Sequence, residues 1–205
     1  MKKIAVLVLV LVLSLPLFAD DILDYVYVTK NGSLKTNGKG TLSGTVEIPE
    51  SIDGITVREI AGKAFYGWDE VTQFILPDSI EEIEDGAFSC CSSLTTINIP
   101  DKVEEIGDSA FKNCYNLTSI TFGNSVREIG NNSFYGCDSL EEIKLPSSVK
   151  TIGYGAFDSC DSLTDIHFGG THSKWNSIKF KNNWRYENDS PMTVHCLDSK
   201  IVFDD

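Results

Sequence analysis

Between residues 75 and 166 the apolar positions recur every 23 residues, in four successive registers: ILPDSIEEIEDGAFSCCSSLTTI, NIPDKVEEIGDSAFKNCYNLTSI, TFGNSVREIGNNSFYGCDSLEEI and KLPSSVKTIGYGAFDSCDSLTDI. Leu94, Leu117, Leu140 and Leu163 stand three residues before Ile97, Ile120, Ile143 and Ile166, and two residues further on come Ile99, Phe122, Leu145 and Phe168. Such alternation predicts a short strand whose apolar side chains turn inward, leaving Thr96, Asn98 and their equivalents outside. Pro77, Pro100 and Pro146, with Gly123 in the same column, then end the ladder and turn the chain. The return path carries Ile80, Val103, Val126 and Val149, then Ile83, Ile106, Ile129 and Ile152, then a small residue followed by Phe88, Phe111, Phe134 or Phe157. Its spacing by three, with polar filler, predicts short extended segments and helical turns too brief for regular helices.

A fixed period in the twenties is the mark of a solenoid, in which each unit buries its apolar face against the next. The L-x-x-L-x-L spacing predicts a leucine-rich repeat solenoid, an α/β repeat of mostly short strands. It has a parallel sheet on the concave face, short strands and helical turns on the convex side, and a cap at both ends. Residues 20–44 lie outside the period. There the β-rich run Tyr25-Val26-Tyr27-Val28-Thr29 and the Asn31-Gly32 turn predict an N-terminal hairpin cap over the first unit's core and strand edge. Residues 45–166 are the leucine-rich repeats: one longer first unit, extended around Asp53-Gly54, then the four 23-residue units. Residues 167–205 form a C-terminal cap.

Residues 1–19 read as a signal peptide. Met1-Lys2-Lys3 is a basic start, residues 4–13 are purely apolar, and Pro16 precedes a cut after Ala19. The alternative, an uncleaved anchor, has an apolar run short of the roughly 20 residues a bilayer span needs. With no cysteine near the cut, the expectation is export to the periplasm or cell exterior without a lipid anchor, and without membrane insertion after cleavage. Removing Lys2 and Lys3 leaves 15 basic against 30 acidic side chains, a net charge of −15. That field repels nucleic acid and anionic lipid, so the expected partner is another protein or peptide.

The phrase "IP..V..IG..AF..C..L..I" resembles the BspA-like, or treponemal-type, leucine-rich repeats, and the resemblance runs from about residue 41 to the C-terminus. GTVEIPESIDGITVREIAGKAF (44–65) is similar to that family's opening unit, and FGGTHSKWNSI (168–178) with TVHCLDSKI (193–201) to its terminal motif. The resemblance implies adhesion or binding to varied partners. Gly123 in place of proline is a departure, and no long stalk or sorting signal accompanies the repeats.

Cys91, Cys114, Cys137 and Cys160 form one column, with Trp68 in the same place in the first unit. Six cysteines in an exported chain invite a disulfide framework. Recurrence beside buried Phe and Leu favours instead a ladder of small buried thiols. Cys90 reads as the more exposed neighbour, open to reaction, and Cys196 as buried in the terminal motif. His167, His172 and His195 crowd the C-terminal end without metal-ligand spacing, so a zinc site built from them with Cys196 is disfavoured. No nucleophile elbow, phosphate loop or dinucleotide fingerprint occurs, and the carboxylates recur by repeat without converging. The sequence therefore predicts no cofactor and no enzymatic activity.

What remains is a surface. The outward strand positions line up as Gln73, Thr96, Ser119, Glu142 and Asp165, and beside them Ile75, Asn98, Thr121, Lys144 and His167. On the concave face these ten residues are either a ligand-binding groove or ordinary solvent-facing strand positions. The expected function is protein–protein interaction through that face, with adhesion to host or matrix proteins as one form. The alternative is a periplasmic structural or assembly module recognising an envelope component or itself, as a homo-oligomer through a solenoid end or face. Trp175, Trp184 and Tyr186 are expected to plug the last unit, with an associating aromatic patch as the other reading.

Overall fold

The computed structural model describes residues 22–38, 40–185 and 191–203; residues 1–19, expected from their pattern to be a signal peptide, and Tyr186 lie outside the described residues. The chain coils as a solenoid between two sheets of eight strands each. One sheet contains Gly44–Glu47, Val71–Ile75, Thr96–Asn98, Ser119–Thr121, Glu142–Leu145, Asp165–Phe168, Met192–His195 and Lys200–Phe203. The other contains Val26–Val28, Ser33–Thr36, Glu59–Ile60, Glu82–Ile83, Glu105–Ile106, Glu128–Ile129, Thr151–Ile152 and Lys179–Phe180. Successive rungs pair in parallel. The exceptions are at opposite ends: Val26–Val28 runs antiparallel to Ser33–Thr36, and Lys200–Phe203 antiparallel to Met192–His195.

The 23-residue period becomes register. Ile97 faces Ile120 and Ile143 faces Ile166 in the long-stranded sheet, while Ile83, Ile106, Ile129 and Ile152 face one another in the other. Ser33 and Leu34 pair with Glu59 and Ile60, and Val46 pairs with Phe74, so a rung with neither the Phe nor the Cys of the later units precedes them. The extra residues of the first full unit form the small hairpin Ser51–Ile52 with Ile55–Thr56, turning at Asp53 and Gly54, both at positive φ. At the far end Val194 pairs with Ile166, closing the coil after a short helix, His172–Trp175.

The core is stacked by residue type. Phe65, Phe88, Phe111, Phe134 and Phe157 are buried and their rings stack with centroids 5.3 to 5.5 Å apart. Trp184 meets Phe157 edge-on at 6.2 Å, and Trp68 meets Phe65 edge-on at 5.1 Å. Cys91, Cys114, Cys137 and Cys160 are buried thiols not joined in disulfides. Each thiol donates to the phenylalanine carbonyl one rung back: Cys91 to Phe65 at 3.1 Å, Cys114 to Phe88 at 3.2 Å, Cys137 to Phe111 at 3.3 Å and Cys160 to Phe134 at 3.1 Å. These bonds aim the four side chains along the stack, each at a carbonyl in place of a neighbouring sulfur, which is why closeness alone does not make a disulfide. Burial pushes Cys91 and Cys160 up to about 12, and Cys114 and Cys137 well above the ordinary thiol value. Cys196, expected to be buried, is half-exposed, because it lies where the last parallel strand ends and no further rung covers it.

Polar side chains staple the turns. Asp85 accepts from the Asp108 amide at 2.7 Å, Asp108 from the Asn131 amide at 2.6 Å, and the Asn131 side-chain oxygen from the Tyr154 amide at 3.0 Å. On the proline side Asp101 likewise accepts from the Asn124 amide at 2.9 Å. Gly107, Gly130 and Gly153 occur where a Cβ would stand 2.5 to 2.7 Å from the backbone of the preceding rung. The invariable "IG" of those three units thus marks a close approach of one coil to the next.

Candidate functional site

Alternation along each strand of the long-stranded sheet turns one apolar set into the core and leaves a polar set outside. Pairing joins the outer set into two rows. The first runs Thr45, Gln73, Thr96, Ser119, Glu142, Asp165, Thr193 and Val202; the second runs Glu47 to Ile75 and Asn98, Thr121, Lys144, His167, His195 and Lys200. All ten residues singled out in the sequence lie in these rows. Asn98, Ser119, Thr121, Glu142 and Lys144 are exposed, Ile75 is 43% exposed, and Gln73, Thr96, Asp165 and His167 are half-buried.

The rows continue one rung before and two strands beyond those ten. Thr45 and Glu47 at one end, and Thr193, His195, Val202 and Lys200 at the other, belong to the same face. The signal was present: Thr45-Val46-Glu47-Ile48 and Thr193-Val194-His195-Cys196 repeat the polar-apolar alternation of Asp165-Ile166-His167-Phe168. It was masked by the irregular spacing of the end units.

The middle and the C-terminal end of the face differ in chemistry. Thr96, Asn98, Ser119 and Thr121 form an uncharged patch. Beyond them Lys144 Nζ lies 3.1 Å from Glu142 Oε1, and His167 Nε2 lies 3.4 Å from Glu142 Oε2. His195 Nε2 lies 2.6 Å from Asp165 Oδ1, and Thr164 donates to Asp165 Oδ2 at 2.8 Å. The His167 and His195 rings stack at 4.6 Å, 19° from parallel. The Lys144 ammonium holds Glu142 below the ordinary carboxylate range, and the hydrogen bond from His195 does the same for Asp165.

His172 is not part of this cluster; its amide donates to Asp198 at the start of the short helix. Among the described residues no three His, Cys, Asp or Glu side chains take up a metal-holding arrangement. On the opposite sheet the carboxylates that recur by repeat fall into one row, Glu59, Glu82, Glu105 and Glu128. Glu82 and Glu105 are exposed, yet partial desolvation by the packed rungs and the neighbouring acidic side chains raise both above the ordinary carboxylate value.

Residues 58–186 match, in 6 copies, the family described as BspA type leucine rich repeat region. Among solved structures, the chain is similar to a leucine-rich repeat protein of T. pallidum at 33% identity and a TM-score of 0.63, over 77% of this chain and 78% of that one. It is also similar to a leucine-rich repeat protein of Bacteroides ovatus ATCC 8483 at 31% identity and a TM-score of 0.60, over 76% of this chain but 43% of that one. No curated protein matches.

Proposed function

The chain belongs to the BspA-type leucine-rich repeat family, and from that premise we propose that it is an exported, non-enzymatic binding protein that engages another protein or peptide through its long-stranded sheet. Leucine-rich repeat proteins generally mediate protein–protein interaction. The observation that carries the reading is how the polar side chains are employed. On the turns, Asp85, Asp108 and Asn131 bond the backbone of the next rung, and Thr95 and Thr118 bond back to the preceding strand. Among the described residues, the side chains of Thr96, Asn98, Ser119 and Thr121 make no hydrogen bond that holds the coil together. They are therefore free to meet a partner without loss of fold. Export rests on the pattern of residues 1–19. The antiparallel strand at each end serves as a cap.

Capture of envelope and host-matrix proteins on the immobilised mature chain tests the reading. Replacing Thr96, Asn98, Ser119 and Thr121 together by lysine abolishes capture if this face binds; undiminished capture refutes it. Adhesion further requires surface display, so protease added to intact cells digests the protein. Self-recognition has one observation in its favour, the Lys200–Phe203 edge strand with Val202 57% exposed. Light scattering showing a strict monomer removes it.

A further inference from the structure

At the C-terminal end of the face, the strands around the histidine pair present a defined set of side chains. Glu142–Leu145 contributes Glu142 and Lys144, Asp165–Phe168 contributes Asp165 and His167, Met192–His195 contributes Thr193 and His195, and Lys200–Phe203 contributes Lys200 and Val202. On the other flank Ser119 and Thr121 are uncharged. With neutral imidazoles the two carboxylates balance the two lysines. With both imidazoles protonated the same patch carries two net positive charges, on a mature chain of net charge −15. Imidazole is the side chain whose charge changes between pH 5 and 8.

A groove of about 450 Å³ opens beside the pair. Lys144, His167 and His195 line one part of it, and Phe122, Leu145 and Leu197 are among its apolar lining. Leu197 is 75% exposed, a large apolar side chain left in solvent beside charged groups. Two imidazolium rings 4.6 Å apart repel each other. Glu142 and Asp165, each within reach of one ring, offset part of that repulsion, and an incoming carboxylate supplies a further negative charge. We propose that this groove binds a peptide presenting a carboxylate next to an apolar side chain, and more tightly in mildly acid than in neutral solution. The inference rests on the binding-face reading, which stands without it.

The test uses the full mature chain and a labelled peptide of alternating glutamate and leucine with a free terminal carboxylate. A glutamine–leucine peptide with an amidated end is the comparison. Fluorescence anisotropy at low salt is expected to show the acidic peptide binding on the order of tenfold more tightly at about pH 5.5 than at about pH 7.5, and the uncharged peptide showing no such gain. His167→Gln with His195→Gln removes the difference. His167→Lys with His195→Lys makes binding tight at both pH values, which a merely structural role for the pair does not produce. Equal affinity at the two pH values, an unchanged pH dependence in the glutamine variant, or equal gain by the uncharged peptide overturns the proposal. If capture of protein partners still depends on Thr96, Asn98, Ser119 and Thr121 while the pH effect is missing, the binding face survives and this site does not.

Discussion

Phe88 and Phe111 stack with ring centroids 5.3 Å apart and planes 3° from parallel. Phe111 is covered on its other side by Phe134, also at 5.3 Å, so deleting it leaves two ring faces and a cavity in the middle of the coil. Phe111→Ala is expected to cost about 3–5 kcal/mol. Urea denaturation measures it, with an unchanged m-value showing that the chain still unfolds as one unit. A cost below about 1 kcal/mol contradicts the stack as the main source of inter-rung cohesion.

A second test concerns backbone spacing. A Cβ on Gly130 would lie 2.7 Å from the Asp108 nitrogen and the Gly107 carbonyl carbon, both backbone atoms that no rotamer change can move. Gly130→Ala must therefore push two rungs apart, straining the parallel pairing of Glu105–Ile106 with Glu128–Ile129. The variant is expected to melt well below the parent or to fail to fold. Gly54→Ala is the control: its Cβ meets nothing within 4 Å, so its loss is limited to the strain of a positive φ.

Ser133 makes the opposite case. It occupies the column held by Ala64, Ala87, Ala110 and Ala156, is fully buried, and its hydroxyl has no hydrogen-bond partner among the described residues. Ser133→Ala removes a desolvated hydroxyl without opening a cavity of consequence. It is expected to stabilise by about 1 kcal/mol, seen as a raised urea midpoint. A destabilised variant would show that the hydroxyl is satisfied.

These three sites also show how far the sequence can be read. Columns of Leu, Ile, Phe, Gly and Cys specify the stack because each buried position repeats at a constant spacing. The rows of the outer face follow from the same period as far as His167. His195 falls outside it because 28 residues separate Ile166 from its partner Val194, and only pairing in space assigns Val194 its rung. The glutamate row is the converse. Glu82 and Glu105 are 23 residues apart, which reads as dispersion along the chain, yet their rungs are adjacent. A solenoid converts sequence period into spatial contact for polar positions as well as apolar ones.

Thiol chemistry separates the six cysteines. Cys91, Cys114, Cys137 and Cys160 are buried, and burial holds their pKa values far above neutrality, at about 12 for Cys91 and Cys160. The thiolate is the reactive form, so iodoacetamide near pH 8 is expected to modify only half-exposed Cys90 and Cys196 in the folded chain. Mass spectrometry should count two adducts before denaturation and six after it. Fast modification of any column cysteine would contradict its burial.

Glu105 offers a pH-dependent test on the sheet opposite the proposed binding face. Glu105 is exposed; partial desolvation first, and then Glu128, Asp85 and Asp108, raise its pKa, with Lys181 opposing. A carboxyl whose pKa is higher folded than unfolded favours the fold below the unfolded value, and that contribution is lost as pH rises through the folded one. At neutral pH the ionised Glu105 therefore works against the coil. Glu105→Gln is expected to raise the melting temperature at pH 7, with an effect that shrinks as the pH falls through the raised folded value and is gone below about 4.3, where the carboxyl is neutral in both states. Because desolvation is the leading cause and ion–ion repulsion the second, added salt should diminish the gain at pH 7 without erasing it. An effect independent of pH would mean that packing, and not charge, distinguishes the two side chains.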